Sequence, residues 1–262
     1  MVIRLLVRIV SLMALAYLVL PLMVIIGSSL TTTSFLAFPP QGLTLSWFGK
    51  VIADPSYLSA FAMSTVLAAC ATAAAVLLAV PSALAIARYT FPGKRLLSAV
   101  LMSPLILPHV VLGAALLQYG AAIGLTRNFP ALLVGHIVII TPFVLRAVLP
   151  QLTDEQQSLE EASADLGGGP LVTFFLVTFP QIRSGVLSGA IFAFISSWIN
   201  VELSIFNTTA ELTTIPVKLF NYVQYTIDPT IAAVSAITIL VAALVIIILD
   251  LTLGLDVLSE RR

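Results

Sequence analysis

Charged side chains are scarce in this chain. Only 9% of its 262 residues are Asp, Glu, Lys or Arg, while 60% are hydrophobic; a soluble domain carries roughly 25% charged residues. That shortage excludes an ordinary soluble globular domain and points to lipid as the solvent. Cysteine is almost absent. Cys70 stands alone inside an apolar run, which excludes a disulfide framework and a CxxC motif, so its thiol reads as structural. No Gly-x4-Gly-Lys-Ser/Thr loop is present to cradle nucleotide phosphates, so the chain is not expected to hydrolyse ATP. Nor do short segments alternate in polarity, as the strands of an outer-membrane barrel do.

What is present is a series of long apolar runs. A membrane-spanning helix needs about 20 apolar residues, and six stretches qualify: 9–30, 60–87, 96–118, 131–149, 185–206 and 231–253. The first has a basic start like a signal peptide, but it is longer than an ordinary signal core. No clear small-x-small cleavage site follows, so it reads as a retained helix. The net charge is zero, yet the basic residues are unevenly placed. Arg4, Arg8, Arg88, Lys94, Arg95, Arg146, Arg183, Arg261 and Arg262 fall on one side of the spans, and Lys50, Arg127 and Lys218 on the other. The excess of basic residues on the cytoplasmic side of membrane proteins places both termini and the segment 150–184 in the cytoplasm.

The loops hold too little chain for a soluble domain. In the first outer loop, 31–59, Trp47 and Phe48 suit a membrane–water interface, and Pro39-Pro40 and Asp54-Pro55 break helices. In the third, 207–230, Pro216 suits the start of a short interfacial helix. These loops are the surface open to an extracytoplasmic partner.

Several residues inside the spans stand out. Ala71, Ala75, Ala79, Ala83 and Ala87 recur every four residues, which stacks them on one helix face for close packing. Pro104 and Pro108 each remove a backbone donor in the third span, leaving the carbonyls of Val100 and Pro104 short of their helical bonds, and His109 follows directly. His136, Thr141 and Pro142 lie in the fourth span. Polar groups and helix breaks at membrane depth mark transport pathways, but a histidine bonding a freed carbonyl explains them equally well. The fifth span closes with Asn200, Val201 and Glu202; the carboxylate is the most anomalous charge, either facing a pathway or held by hydrogen bonds. Asp250, near the inner end of the sixth span, reads as interfacial.

The segment after Pro150 is polar and acidic. Thr153 and Gln156 are spaced as a capping box, with Asp154 and Glu155 in the first turn, so a helix is expected to run to about Leu166. Gly167, Gly168 and Gly169 supply a left-handed exit, Pro170 starts a second short helix, and Pro180 stops it. Leu159, Ala162 and Leu166 share one face. Asp154, Glu155, Glu160, Glu161 and Asp165 are negative with no Lys or Arg between them, and Leu171, Phe174, Phe175 and Val177 add apolar surface. Two hinged helices with an apolar stripe and an acidic rim make a docking element or a loop lying on the membrane.

Glu161, Ala162, Gly167 and Pro180 fall at the positions of the Glu-Ala-Ala…Gly…Ile-x-Leu-Pro loop of bacterial ABC importer permeases, which this segment resembles. Ser163 replaces the second Ala, and Val177 and Phe179 replace the aliphatic pair. Along nearly its whole length the chain resembles the spermidine/putrescine-type permeases. Met102-Ser103-Pro104, His136 with Pro142-Phe143-Val144, and Pro216-Val217-Lys218-Leu219 also carry that likeness.

The resemblance implies an all-α membrane protein with six transmembrane helices and a cytoplasmic coupling helix, the type I importer permease fold, as one domain over 1–262. It implies that Glu160, Glu161, Ala162, Asp165, Gly167 and Pro180 serve ATPase coupling. The implied partners are an ABC ATPase dimer carrying ATP and Mg²⁺, a second and different permease chain, and an extracytoplasmic solute-binding protein, in the bacterial inner membrane. No cofactor, metal or nucleic acid is expected on this chain. His109, His136, Asn200 and Glu202 remain candidates for the pathway or gate. The solutes of the subfamily include polyamines, ferric iron, opines and phosphonates, and a lone Glu202 leans towards a cation. The competing reading is an ion-gradient-driven carrier with Glu202, His109 and His136 as a proton relay. Against it stand the absence of an inverted repeat and the few intramembrane charges. A non-transporting assembly subunit is the third reading.

Overall fold

The structure is a computed structural model that describes residues 2–253, with side chains from 4 to 244. Arg261 and Arg262, used above to orient the C-terminus, lie outside the described residues, as does the side chain of Asp250. The described residues are helical with no strand: α1 (Val2–Ser28), α2 (Ser46–Ala53), α3 (Pro55–Arg88), α4 (Lys94–Met102), α5 (His109–Ala122), α6 (Phe129–Val148), α7 (Asp154–Asp165), α8 (Pro170–Thr173), α9 (Phe179–Trp198), α10 (Ser204–Asn207), α11 (Ile215–Tyr225) and α12 (Pro229–Leu253). Four stretches, Arg4–Ser28, Pro55–Arg88, Phe129–Gln151 and Pro170–Trp198, are long and apolar enough to cross a membrane; the pair Lys94–Leu105 and His109–Ala122 makes a fifth if it counts as one bent span.

The contacts divide the chain into two compact units. The first comprises Met1–Leu58 and Leu219–Arg262. Within it α12 packs against both α1 and α2. Trp47 is buried rather than interfacial, and its indole N–H donates to the Thr31 carbonyl at 2.9 Å. The break expected at Asp54-Pro55 is present: α2 ends at Ala53, and Asp54 Oδ1 accepts from the Ser56 N–H at 2.8 Å as α3 begins. Pro216 lies in the first turn of α11, where the sequence places a short helix.

The second unit, Ser59–Lys218, is built around α3, α6 and α9. Ala71, Ala75, Ala79 and Ala83 are fully buried in one cluster with Ile139, Val144, Val148 and Ile182, as the four-residue spacing requires. Asn128 caps α6, its Oδ1 accepting from the Ala131 N–H at 2.9 Å, and Pro130 occupies the first turn, where a missing N–H costs nothing. The seam between α6 and α9 is the closest in the unit. A Cβ on Gly189 would stand 2.9 Å from the Val144 Cα, and one on Gly185 2.6 Å from the Ala147 carbonyl oxygen. Small residues at such a crossing let two backbones approach, and that packing is what drives helix association in lipid.

Two spans differ from the hydropathy reading. The third is not straight: α4 passes through a short 3-10 turn, Ser103–Leu105, and α5 leaves at 111°. Pro108 causes the break, because it has no N–H to donate and disfavours the helical conformation at the residue before it. Ser103 satisfies the Val100 carbonyl through both its backbone N–H and its hydroxyl, the latter at 2.8 Å.

The fifth span is displaced towards the N-terminus. The chain is helical from Pro170 to Trp198, so Pro180 does not stop the second helix but sits in the first turn of α9. A π turn, Phe174–Thr178, directly precedes it. A proline inside a regular helix loses one hydrogen bond and its ring meets the carbonyl four residues back. The wider π turn opens the helix at the point where the ring must fit. The span accordingly ends at Trp198, and Asn200 and Glu202 lie beyond it, in the turn leading to α10.

Candidate functional site

The acidic segment forms a tight helical hairpin. Thr153 stands at the N-cap of α7 in an extended conformation, but its side chain makes no capping bond, so the capping box is not formed. Gln156 does not reach back; its Oε1 is buried with no donor among the described residues. Asp154 and Glu155 remain in the first turn, where they favour the helix dipole. The C-terminal end follows the sequence closely. The Gly168 N–H donates to the Ser163 carbonyl and the Gly167 N–H to the Ala164 carbonyl, both at 2.9 Å, which is the Schellman arrangement.

Gly167 has φ +86° and nothing within 4 Å of where a Cβ would lie. Gly167→Ala therefore meets backbone strain alone, about 1 kcal/mol. Thermal unfolding of the purified chain should show that loss for Gly167→Ala and almost none for Gly169→Ala, where φ is −71°. Equal losses would rule out the left-handed exit. Gly169 then caps α8, with Pro170 at its first position, and the Ser163 and Thr173 hydroxyls bond at 2.9 Å to tie the two arms together.

The six coupling candidates separate into two groups. Glu161, Ala162 and Asp165 are exposed, as are Leu159 and Leu166, the latter 90% exposed. Glu161 Oε1 accepts from Gln157 Nε2 at 3.0 Å along the helix. Gly167 forms the exit, and Pro180 leads into α9. Glu160 instead faces inward. Its carboxylate takes two bonds from Arg88, Nε to Oε2 at 2.9 Å and Nη2 to Oε1 at 3.3 Å, and Oε1 also accepts from Thr178 Oγ at 2.9 Å. The Arg88 and Glu160 side chains are only 10% and 17% exposed. Arg88 Nη1 donates in addition to the carbonyls of Leu152 and Thr153, at 3.3 and 3.2 Å. Arg88 is the last residue of α3, where a cation also suits the dipole. Neither Arg88 nor Thr178 stood out in the sequence: Arg88 and Glu160 are 72 residues apart, and no local pattern joins them.

The four pathway candidates form two pairs near the other end of the α6–α9 hairpin. His136 is fully buried, its Nδ1 2.7 Å from Ser197 Oγ and its Nε2 2.9 Å from Ser204 Oγ. Ser204 Oγ donates to the Asn200 carbonyl at 2.9 Å, so Nε2–H donates to Ser204 and Nδ1 accepts from Ser197. This assigns a neutral imidazole with both nitrogens satisfied. Asn200 is buried too, and its Oδ1 accepts from the N–H groups of Leu203 and Ser204 at 3.0 and 3.3 Å. These two residues brace α6 against the turn after α9. His109 and Glu202 form the second pair, 3.4 Å apart, with the Glu202 side chain 59% exposed. Glu202 is thus a half-solvated carboxylate in a turn and not a charge within a helical span. No cluster of His, Cys, Asp and Glu suited to a metal ion occurs among the described residues.

No protein-family model matches the chain. Among characterised proteins, it is 30% identical over 203 residues to the putrescine transport system permease protein PotI of Escherichia coli K12, covering 75% of this chain and 72% of PotI. It is 28% identical over 241 residues to the spermidine/putrescine transport system permease protein PotC of the same organism, covering 92% and 90%. The molybdate/tungstate transport system permease protein WtpB of Pyrococcus furiosus is 29% identical over 160 residues, 61% of this chain and 64% of WtpB. Among solved structures, a chain from the crystal structure of a bacterial ABC transporter involved in the import of the acidic polysaccharide alginate superposes with a TM-score of 0.71 at 14% identity, covering 96% of each chain; this likeness concerns the fold. The chain belongs to the family of transport-system permease proteins that includes PotI and PotC, and it is a permease subunit of an ABC importer.

Proposed function

We propose that this permease imports a polyamine or a similar small cation, and that α7 is its coupling helix. The bent pair counts as the third span and α12 as the sixth, giving the six-span type I permease. The unequal distribution of basic residues supports placing α7, α8 and both termini in the cytoplasm of a bacterial inner membrane. The chain supplies half of the pathway beside a second, different permease and receives solute from an extracytoplasmic binding protein. ATP and Mg²⁺ sit on a partner ATPase dimer, and this chain catalyses no reaction.

The observation that carries this reading is the division of labour on α7. Glu160 and Ser163 hold the helix from inside, while Leu159, Glu161, Ala162, Asp165 and Leu166 are left on the outside as one apolar and acidic surface. The His109–Glu202 pair is the best remaining candidate for a residue pair facing the pathway. The polyamine assignment is supported by the names of the relatives.

Two measurements test the reading. With Asp165 replaced by Cys and the native Cys70 by Ser, a short bifunctional thiol reagent is expected to join this chain to the ATPase within the assembled importer. Uptake of labelled putrescine should be competed by excess spermidine and not by molybdate. A cross-link absent in an intact complex removes the coupling assignment, and competition by molybdate alone removes the polyamine one.

A further inference from the structure

We propose that the Arg88–Glu160 ion pair is a mechanical link carrying movement of the α7–α8 hairpin into α3 and α9, so that Glu160 acts inside the permease and not at the ATPase surface. The proposal rests on the reading of α7 as the docking helix. It stands on where the bonds go. Arg88 terminates α3, a helix of 34 residues. Its guanidinium holds the middle of α7 through both Glu160 oxygens and the entry to α7 through the Leu152 and Thr153 carbonyls. Glu160 in turn holds the buried Thr178 hydroxyl in the π turn, the last segment before α9. One charged cluster therefore fastens α7 to the ends of two long helices.

The bidentate fork fixes orientation as well as distance, which a lysine does not reproduce. Shielding from solvent keeps the pair from being screened like a surface one. The remaining contacts of the hairpin, the Ser163–Thr173 bond and the Schellman turn, lie within it and keep it stiff. Arg88 and Glu160 are positioning residues, because neither needs to touch nucleotide or solute.

The test uses the complete transporter, with its ATPase and partner permease, in lipid nanodiscs on a Cys70→Ser background. Spin labels at Leu78→Cys on α3 and Phe192→Cys on α9, both exposed positions, report the distance between the two helices without nucleotide and with ATP and vanadate. The Asp165→Cys cross-link to the ATPase is measured in parallel, together with ATP turnover. The unaltered pair should show a nucleotide-dependent shift. Arg88→Ala and the isosteric Glu160→Gln should each keep the cross-link and ATP turnover, while the ratio of shifted to unshifted population falls about tenfold. Arg88→Lys should recover part of it, and the exchange of Arg88→Glu with Glu160→Arg more. An unchanged shift in both single variants with the cross-link intact overturns the link and leaves the docking reading standing. No shift in the unaltered pair also overturns the link. A missing cross-link in the unaltered pair overturns the docking reading, and the link with it.

Discussion

Replacing Gly189 by leucine is expected to abolish the folded permease, the largest effect of any single substitution considered. The reason is local and geometric. At Gly189 the α9 backbone lies so close to α6 that even a Cβ would stand 2.9 Å from the Val144 Cα and 3.0 Å from the Ala147 Cβ. The obstacle is largely backbone, so a rotamer change cannot relieve it. The two helices would have to separate. Separation also disturbs Gly185, whose N–H is held by Gln151 Oε1 at 3.1 Å, and the buried cluster of Ile139, Val144 and Ile182.

Overpacking a tight core with one or two methylenes costs about 1–3 kcal/mol. A leucine adds four heavy atoms at a seam that helix packing in lipid depends on, against a total stability of only about 5–15 kcal/mol. Gly189→Ala should therefore lower the melting temperature measurably, and Gly189→Leu should leave no monodisperse protein on size exclusion after detergent extraction. Phe192→Leu, at an exposed position on the same helix, is the control and should behave as wild type. A Gly189→Leu variant that elutes and melts like wild type would mean that α6 and α9 do not cross there.

The same seam shows how far the sequence could be read. Helix positions that depend on local chemistry were legible: the alanine stripe of α3, the bounds of α7, the left-handed Gly167 and the start of α8 at Pro170. Each is fixed by residue spacing or by a single backbone conformation. Features that depend on contacts between distant segments were not. The five acids of α7 look alike in sequence, and only Arg88, arriving from α3, separates Glu160 from Glu161.

Hydropathy also extended the fifth span through Ile199, Val201 and Leu203, because it weighs apolar side chains and not backbone bonds. The Asn200 side chain, by accepting from the N–H groups of Leu203 and Ser204, turns the chain out of the helix there. The 111° bend after α4 was half legible. Pro104 and Pro108 signal a break, but the direction taken by α5 depends on Gly113 meeting Phe206 and Leu203.

His136 separates two accounts of this chain, and its replacement should decide between them. A proton relay through the membrane histidines requires His136 to exchange protons with water or a carboxylate. In the structure it is wholly buried, and both ring nitrogens are taken by hydroxyls, Ser197 on one side and Ser204 on the other. His136→Leu removes both bonds. Ser204 keeps its bond to the Asn200 carbonyl, but the Ser197 hydroxyl, also buried, loses its acceptor. An orphaned buried hydroxyl costs about 1–3 kcal/mol, so His136→Leu should destabilise the permease by that amount in denaturant unfolding.

Adding Ser197→Ala removes the orphan, and the double variant should recover much of the loss, since deleting both partners of a buried bond is nearly neutral. The non-additivity of that pair is the signature of a brace. ATP-driven uptake of labelled putrescine, normalised to folded protein, should stay within about threefold of wild type in both variants, as expected for a residue that supports the pathway walls without carrying charge through them. A relay makes the opposite prediction. Uptake would vanish in His136→Leu at unchanged stability, and Ser197→Ala would rescue nothing.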